Sequence, residues 1–423
     1  MNSKNQSTKI VIVGAGYAGL MAAQRLAGKT RGLNVQLTLI NGSDRFDQRP
    51  LLPRVATGQD VQRTPLAKLL RGTAVELRQG WITAIDPEQK EIQIQTKQGV
   101  EAATYDFLVY ALGSVVDQES VPGVREHSYV LNPHGANGAA ALHARLQTLA
   151  GRGAKVIVVG GGATGIEGAT EIKGRYPDLQ VGLVTAGRFA AFKGTYVEAH
   201  IRDAFAEQGI SFQEGERVVA VDAHHLLLED GRTIPFDLCL WAGGFRALPL
   251  ARQAGFIVNE RDQIVVDPYG RSLSFVDVYA VGDAAHSVEE PGVPLRMSLH
   301  TAITRGAHAA DNIAALLKGQ KQTPLSFAYY GQSISLGPED AVGFASYPAE
   351  APPRVVLRGK TAAAVRRAFL WMYLVFYKLE RRWPGFYFWL GKGRYERSRM
   401  AGAEQSHAVT GRKPLPQGGD GYE

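Results

Sequence analysis

Two short runs in this 423-residue chain have the residue types and spacing to hold a phosphate with backbone alone. Gly14, Gly16 and Gly19 form G-A-G-Y-A-G after the apolar run KIVIV, and Gly160, Gly162 and Gly165 form G-G-G-A-T-G after KVIVV. In each, the first glycine permits a tight turn, the second lets a pyrophosphate approach the backbone, and the third lets the following helix pack closely on the strand. The anion then sits on the helix N-terminus, where N–H groups lack intrahelical partners. Two such cradles imply two dinucleotides. A hydride passes between them only if one is a flavin and the other a nicotinamide, because the side chains contain no redox group suited to the work. Cys239 is the single cysteine, which excludes an intramolecular disulfide, a Cys-X-X-Cys centre and a cysteine-ligated metal, and no metal site is expected.

The elements that must position these glycines follow from hydrophobic periodicity. A strand at Lys9–Gly14, a helix at Ala18–Ala27 and a strand at Val35–Ile40 make one βαβ opening. Lys155–Gly160, Ala163–Gly174 and Gln180–Thr185 make a second, so the predicted fold is α/β with two Rossmann-like units. The alternating run Glu91–Thr96 suits an inserted antiparallel sheet, and a late strand at Val278–Val281 delivers Gly282 and Asp283 to a sheet edge, where a carboxylate can accept from ribityl or ribose hydroxyls. A helix is expected from Ser298 to Leu317. The expected units are 1–125 with 272–347 for the flavin, 126–271 for the nicotinamide, a terminal segment at 348–399, and a disordered tail at 400–423.

Charge separates the terminal segment from the body. Residues 351–423 hold 14 Lys and Arg against 5 Asp and Glu, leaving 33 against 35 in the rest, so the net +7 belongs to the C-terminus. A slightly acidic body argues against nucleic-acid binding. Thr361–Arg382 has no proline or glycine and reads as a helix, with Arg366, Arg367, Lys378, Arg381 and Arg382 within about 160° of arc. Residues 369–395 carry 11 of the 37 aromatics. Aromatics and cations at this density suit a helix lying in a bilayer interface, too short in its apolar run to span, so residues 361–397 are expected to attach to a membrane surface. The competing expectation is a helix packed on the body or in a homodimer interface. If the segment is only an anchor, deleting everything after Val365 leaves a soluble, flavin-loaded protein. No secretory signal is visible, so the expected location is cytoplasmic, peripherally on the membrane.

The segments VIVGAGYAGLMAA, RPLLPRVATG, YDFLVYALGS, VIVVGGGATGIEGA, DLCLWAGGF, VYAVGDAA and FAYYGQSISLGPEDAVGF together resemble the two-dinucleotide flavoprotein reductases, and within them the type II NADH dehydrogenases. That resemblance implies FAD on the first glycine turn, with Gly113, Gly282 and Asp283, and NAD(P)H on the second, with Gly243. It implies a flavin-mediated transfer to a quinone-like acceptor. Glu167 matches a glutamate close to where nicotinamide meets flavin, and Pro50 and Leu51 match a loop lying along the flavin; by residue type alone, Glu167 is also an ordinary helix glutamate.

Four positions depart from the family pattern. Asn41 stands where an acid usually binds the adenosine ribose, losing a charge-assisted bond. Thr185 replaces the acid that selects NADH, and nearby Arg188 leans the expectation toward NADPH being accepted. His300 and Thr304 stand where the quinone-binding stretch carries glutamines, and His300, with an ordinary pKa of about 6.5, is the candidate proton donor to a reduced acceptor. These departures keep two alternatives open: a reductase serving a redox protein or dioxygen, and a nucleotide-sensing or membrane-scaffold protein on a degenerate flavoprotein fold.

Overall fold

The computed structural model describes residues 7–190, 194–290, 293–328, 331–345 and 355–391. The tail expected at 400–423 lies outside them. In chain order the framework is β1 (Thr8–Val13), α1 (Tyr17–Lys29), β2 (Val35–Asn41), β3 (Val75–Gln79), β4 (Phe107–Tyr110), β5 (Tyr129–Val130), β6 (Lys155–Val159), α2 (Ala163–Arg175), β7 (Gln180–Thr185), β8 (Ser211–Glu214), β9 (Leu238–Trp241), β10 (Val278–Ala280), α3 (Leu299–Leu317), β11 (Gly331–Ser335), β12 (Ala341–Ala345), β13 (Val356–Arg358) and α4 (Gly359–Arg382).

These strands form two parallel five-stranded sheets of the same design. The first runs β10-β4-β1-β2-β3 and the second β5-β9-β6-β7-β8. In each, the glycine-turn strand is central and pairs in parallel with the strand that follows its helix, Thr8 opposite Val35 and Lys155 opposite Gln180. Each sheet also carries a three-stranded antiparallel insert, Trp81–Thr104 in the first and Val218–Pro235 in the second. The central strands are continuous apolar runs because a parallel sheet is covered on both faces: Ile10, Ile12, Val156 and Val158 are fully buried. The outer strand differs in origin. β5 enters the second sheet from the N-terminal side, whereas β10 returns to the first sheet after the second is complete. The α/β class and the two Rossmann-like units expected from the sequence are therefore what the chain builds.

Helix α3 lies directly on α1. A Cβ on Gly306 would fall 2.1 Å from the Ala18 carbonyl oxygen, so only glycine allows this approach. The small antiparallel sheet β11-β12-β13 packs on the second unit and not, as its place in the expected 272–347 segment implied, on the first. Ile334, Leu336, Val342 and Phe344 share a core with Ile166 and Ala169 of α2.

Helix α4 forms as expected, but it is fastened to the body along one face. Arg25 of α1 donates to Glu380 at 2.7 Å with both side chains buried, the Tyr377 hydroxyl donates to the Tyr17 carbonyl at 2.9 Å, and Trp389 donates to the Ser326 carbonyl at 2.8 Å. Arg366, read from sequence as one of five surface cations, is buried against Glu167. The reason is geometric: the body-facing stripe is Ala363, Arg366, Tyr373, Tyr377 and Glu380, so it takes Arg366 and Tyr377 from the expected basic arc and Tyr373 from the expected apolar side. The opposite face still displays Trp371, with Arg367 and Lys378 exposed; Phe369 is exposed at the edge of the inner stripe, and Trp383, Phe386 and Phe388 follow in the exposed turn after the helix. Among the described residues no helix is long and apolar enough to cross a membrane.

Candidate functional site

The two glycine turns have one geometry. Gly14 and Gly160 have φ of +94° and +120°, and a Cβ on either would lie 2.4 Å from a carbonyl oxygen, that of Ala111 or Ala242. A Cβ on Gly19 or Gly165 would lie 1.9 Å from the carbonyl oxygen of Gly14 or Gly160, which forces glycine where helix meets strand. At Gly16 and Gly162 a Cβ would meet nothing within 4 Å. Both are N-caps without a side-chain cap, at the starts of α1 and α2, so the first N–H groups of each helix point into a cradle that a pyrophosphate fits.

Around the first turn stand several of the residues singled out from sequence. The Asp283 carboxylate accepts from Ser114 Oγ at 2.8 Å, next to Gly113 in the loop after β4. Asn41, at the end of β2, accepts from the Ala15 N–H at 2.8 Å and donates to the Ser43 carbonyl at 2.8 Å, so the residue expected on the ribose also ties the glycine turn to its strand. Pro50 and Leu51 lie in a short 3-10 turn, Arg49–Leu51. Arg49 was not singled out. Its guanidinium donates to the Ser114 carbonyl and lies 5.8 Å over the Phe245 ring; burial holds its pKa down, opposed by the nearby Asp283 and Asp47 carboxylates.

Around the second turn, Thr185 closes β7 and lies against Gly161. Arg188 bonds Glu198 at 2.7 Å, and Glu198 also bonds Arg202 at 3.1 Å. An incoming 2′-phosphate would have to compete with Glu198, which weighs against the expected lean toward NADPH. Gly243 sits beneath the Trp241 indole, whose Nε1 donates to the Asp117 carbonyl at 2.9 Å.

Glu167 is where the two halves meet. It sits on the first turns of α2, and its Oε1 accepts from the Ser335 N–H at 2.9 Å and from Arg366 Nη2 at 3.0 Å. The same Nη2 donates to the Pro50 carbonyl at 3.2 Å. One guanidinium from α4 thus joins the helix of the second cradle to the loop beside the first. Burial raises the Glu167 pKa, opposed by the Arg366 charge and the Ser335 N–H. Arg366 is the main residue missed from sequence; the usable signal was that a carboxylate inside a helix between two cradles requires a cation.

His300, in the first turn of α3, shares a hydrogen bond of 2.9 Å between its Nδ1 and the Tyr373 hydroxyl, and Thr304 shares one of 2.9 Å with the Tyr387 hydroxyl. Burial lowers the His300 pKa to about 4, so at neutral pH the ring is uncharged and is not the cationic donor its ordinary pKa suggested. His300 and Glu167 do not touch; both contact the inner face of α4, through Tyr373 and Arg366. Among the described residues no cluster of His, Cys, Asp or Glu could hold a metal. Cys239 is buried in β9, with its thiol pushed up to about 12 by burial.

Comparison with known proteins places these features among relatives. The model of the family described as pyridine nucleotide-disulphide oxidoreductase matches residues 8–306. The chain is 26% identical over 352 residues to the demethylphylloquinone reductase NdbB of Synechocystis, covering 79% of this chain and 86% of that protein. It is 23% identical over 400 residues to the type II NADH:quinone oxidoreductase of Staphylococcus epidermidis, covering 86% and 92%. Among solved structures it resembles the sulfide:quinone oxidoreductase of Aquifex aeolicus, with a TM-score of 0.75 at 21% identity over 90% of this chain and 94% of that one. It also resembles NDH2 of Plasmodium falciparum in complex with NADH, with a TM-score of 0.71 at 15% identity over 90% and 99%. At those identities the structural likeness speaks for the fold.

Proposed function

This chain belongs to the pyridine nucleotide-disulphide oxidoreductase family, and from that premise we propose that it is an FAD-dependent NAD(P)H:quinone oxidoreductase of the type II NADH dehydrogenase kind. The disulphide branch of the family is closed to it, since its single cysteine is a buried, high-pKa thiol. FAD, when bound, accepts hydride from NAD(P)H and passes electrons to the quinone-like acceptor. The chain's own part is to bind, align and keep water out.

The observation that carries this reading is the joint at Arg366. The first cradle, with Asn41, Ser114 and Asp283 around it, would hold FAD, and the second, with Thr185, Arg188 and Gly243, would hold the nicotinamide cofactor. Arg366 and Glu167 fasten the α2 helix of the second to the Pro50–Leu51 turn beside the first, which suits two rings stacked at that contact. Neutral His300 on α3 would offer a hydrogen bond to the acceptor rather than a full charge. Arg188 is tied to Glu198, so we expect NADH to be the better donor. The outer face of α4, together with the aromatic turn that follows it, is our proposed contact with the cytoplasmic membrane surface, because aromatics and cations alternate there in the manner of an interfacial helix.

Anaerobic titration of the purified protein with NADH and NADPH, watching the flavin bleach, tests the donor half. Turnover with a short-chain quinone, compared with ferricyanide, tests the acceptor half. A flavin-loaded protein that bleaches with NADH and reduces ferricyanide but not quinone would overturn the acceptor assignment in favour of a protein or dioxygen acceptor.

A further inference from the structure

The turn that presents Asp283 is held from outside by two buried side chains that no motif marks. Arg305 of α3 is 5% exposed. Its Nη1 donates to the Gly282 carbonyl at 2.7 Å and also to the Ala285 carbonyl, and its Nη2 donates to Ser287 Oγ. Gln263 Nε2 donates to the Asp283 carbonyl at 2.8 Å and the Ala285 carbonyl at 3.2 Å. Three of the four carbonyls of Gly282–Ala285 are therefore captured by side chains from elsewhere in the fold. Taking a guanidinium out of water is costly, and a neutral amide already caps part of this turn. The guanidinium does what the amide does not: its Nη1 reaches the carbonyls at both ends of the turn while its Nη2 is held by Ser287, which ties the turn to α3, the helix that packs on α1 and so on the first glycine cradle.

We propose that Arg305 is a positioning residue for FAD, holding the Gly282–Ala285 turn so that the Asp283 carboxylate, steadied by Ser114, faces the cofactor at a fixed height above α1. Gln263 is the weaker second member of the same clamp. The role rests on the reading that Asp283 binds FAD.

The test uses the full chain, with FAD itself as the probe. Deflavinated protein is reconstituted with FAD, affinity is read from the visible absorbance, and melting temperature is recorded with and without FAD. Arg305→Met should weaken FAD binding about tenfold to a hundredfold, the range expected when a charged donor to buried carbonyls is removed, and should shrink the rise in melting temperature that FAD produces. Arg305→Lys should recover part of the loss, since an ammonium can donate to these carbonyls but has no second nitrogen for Ser287. In an Asp283→Asn background, Arg305→Met should add little, because both act through one carboxylate. A purely structural role would lower the melting temperatures of the flavin-free and flavin-loaded forms equally and leave FAD affinity alone, and that result overturns the proposal. Should Arg305→Met fail to fold, Gln263→Leu makes the same test with a smaller loss, and unchanged FAD affinity there, with Asp283→Asn weakened, overturns it equally. If Asp283→Asn itself binds FAD as tightly as the wild type, the assignment of Asp283 to FAD falls first and takes the clamp with it.

Discussion

Replacing Arg366 by methionine removes the charge at the joint between the cradles while keeping much of the side-chain volume. Glu167 is only 7% exposed, and one of its oxygens receives both the guanidinium and the Ser335 N–H. Deleting one partner of a buried ion pair costs about 3–5 kcal/mol, because the other charge is left buried and uncompensated. Unfolding entropy is about 2.1 cal/mol/K per residue, so a chain of 423 residues should lose about 3–6 °C in melting temperature.

The pH dependence carries a sign. Burial raises the Glu167 pKa above its ordinary 4.5 even with Arg366 opposing, and the variant loses that opposition, so its pKa climbs further. A carboxyl whose folded pKa lies above its unfolded value binds more protons when folded. Stability therefore falls as pH rises from the unfolded pKa to the folded one, and levels off above it. The deficit of Arg366→Met against the wild type should be smallest in the ordinary carboxyl range and grow as pH rises above it. Scanning calorimetry of the flavin-loaded protein across that rise in pH measures it, with Glu167→Gln as the companion variant. A deficit equal at every pH, or a Glu167→Gln/Arg366→Met double variant no more stable than Arg366→Met alone, would refute the assignment of a charge-compensating role.

Three further outcomes follow from the same geometry. Gly165→Ala should remain flavin-loaded yet lose bleaching by NADH, and Gly19→Ala should purify without flavin, since each added Cβ falls 1.9 Å from a carbonyl oxygen in its own cradle; matching behaviour of the two would argue against separate dinucleotides. Quinone turnover should show no ionisation near about pH 6.5 from His300, whose pKa is lowered to about 4. Because its folded pKa lies below the unfolded value, His300 should instead reduce stability as pH falls from about 6.5 toward 4, a loss absent in His300→Gln. Trp371→Ser with Phe388→Ser should lift the protein off anionic vesicles in a flotation assay with little change in melting temperature, whereas deletion after Val365 should yield aggregated protein rather than the soluble enzyme a simple anchor allows, because it strips buried Arg25 of Glu380 and Glu167 of Arg366. Soluble, flavin-loaded truncated protein would refute the second half.

The glycine cradles, their strands and the order of the two units were legible in the sequence because each depends on residues within about one turn or one strand: a glycine spacing, an apolar run, a helix start. The late Gly282–Asp283 turn was legible for the same reason, as was the existence of the terminal helix from its unbroken run of helix formers. The helix's inner face was not. Its assignment depends on Glu167, 199 residues before Arg366, and on Arg25, 355 residues before Glu380, and no local period records such partners. Arg366 and Arg381 look alike in the sequence; in the fold one is sealed on a carboxylate between the cradles and the other lies half-buried at the edge. His300 likewise was recognisable as an imidazole in the right stretch, but burial beside Tyr373 and Phe327 sets its charge, and that environment exists only once α3 and α4 have packed. Residue type and spacing thus determined that the chain builds two dinucleotide cradles and in what order. Tertiary packing decided which charges survive desolvation, and with them how the two cradles are joined, because the energy of a buried charge belongs to its surroundings and not to its position in the chain.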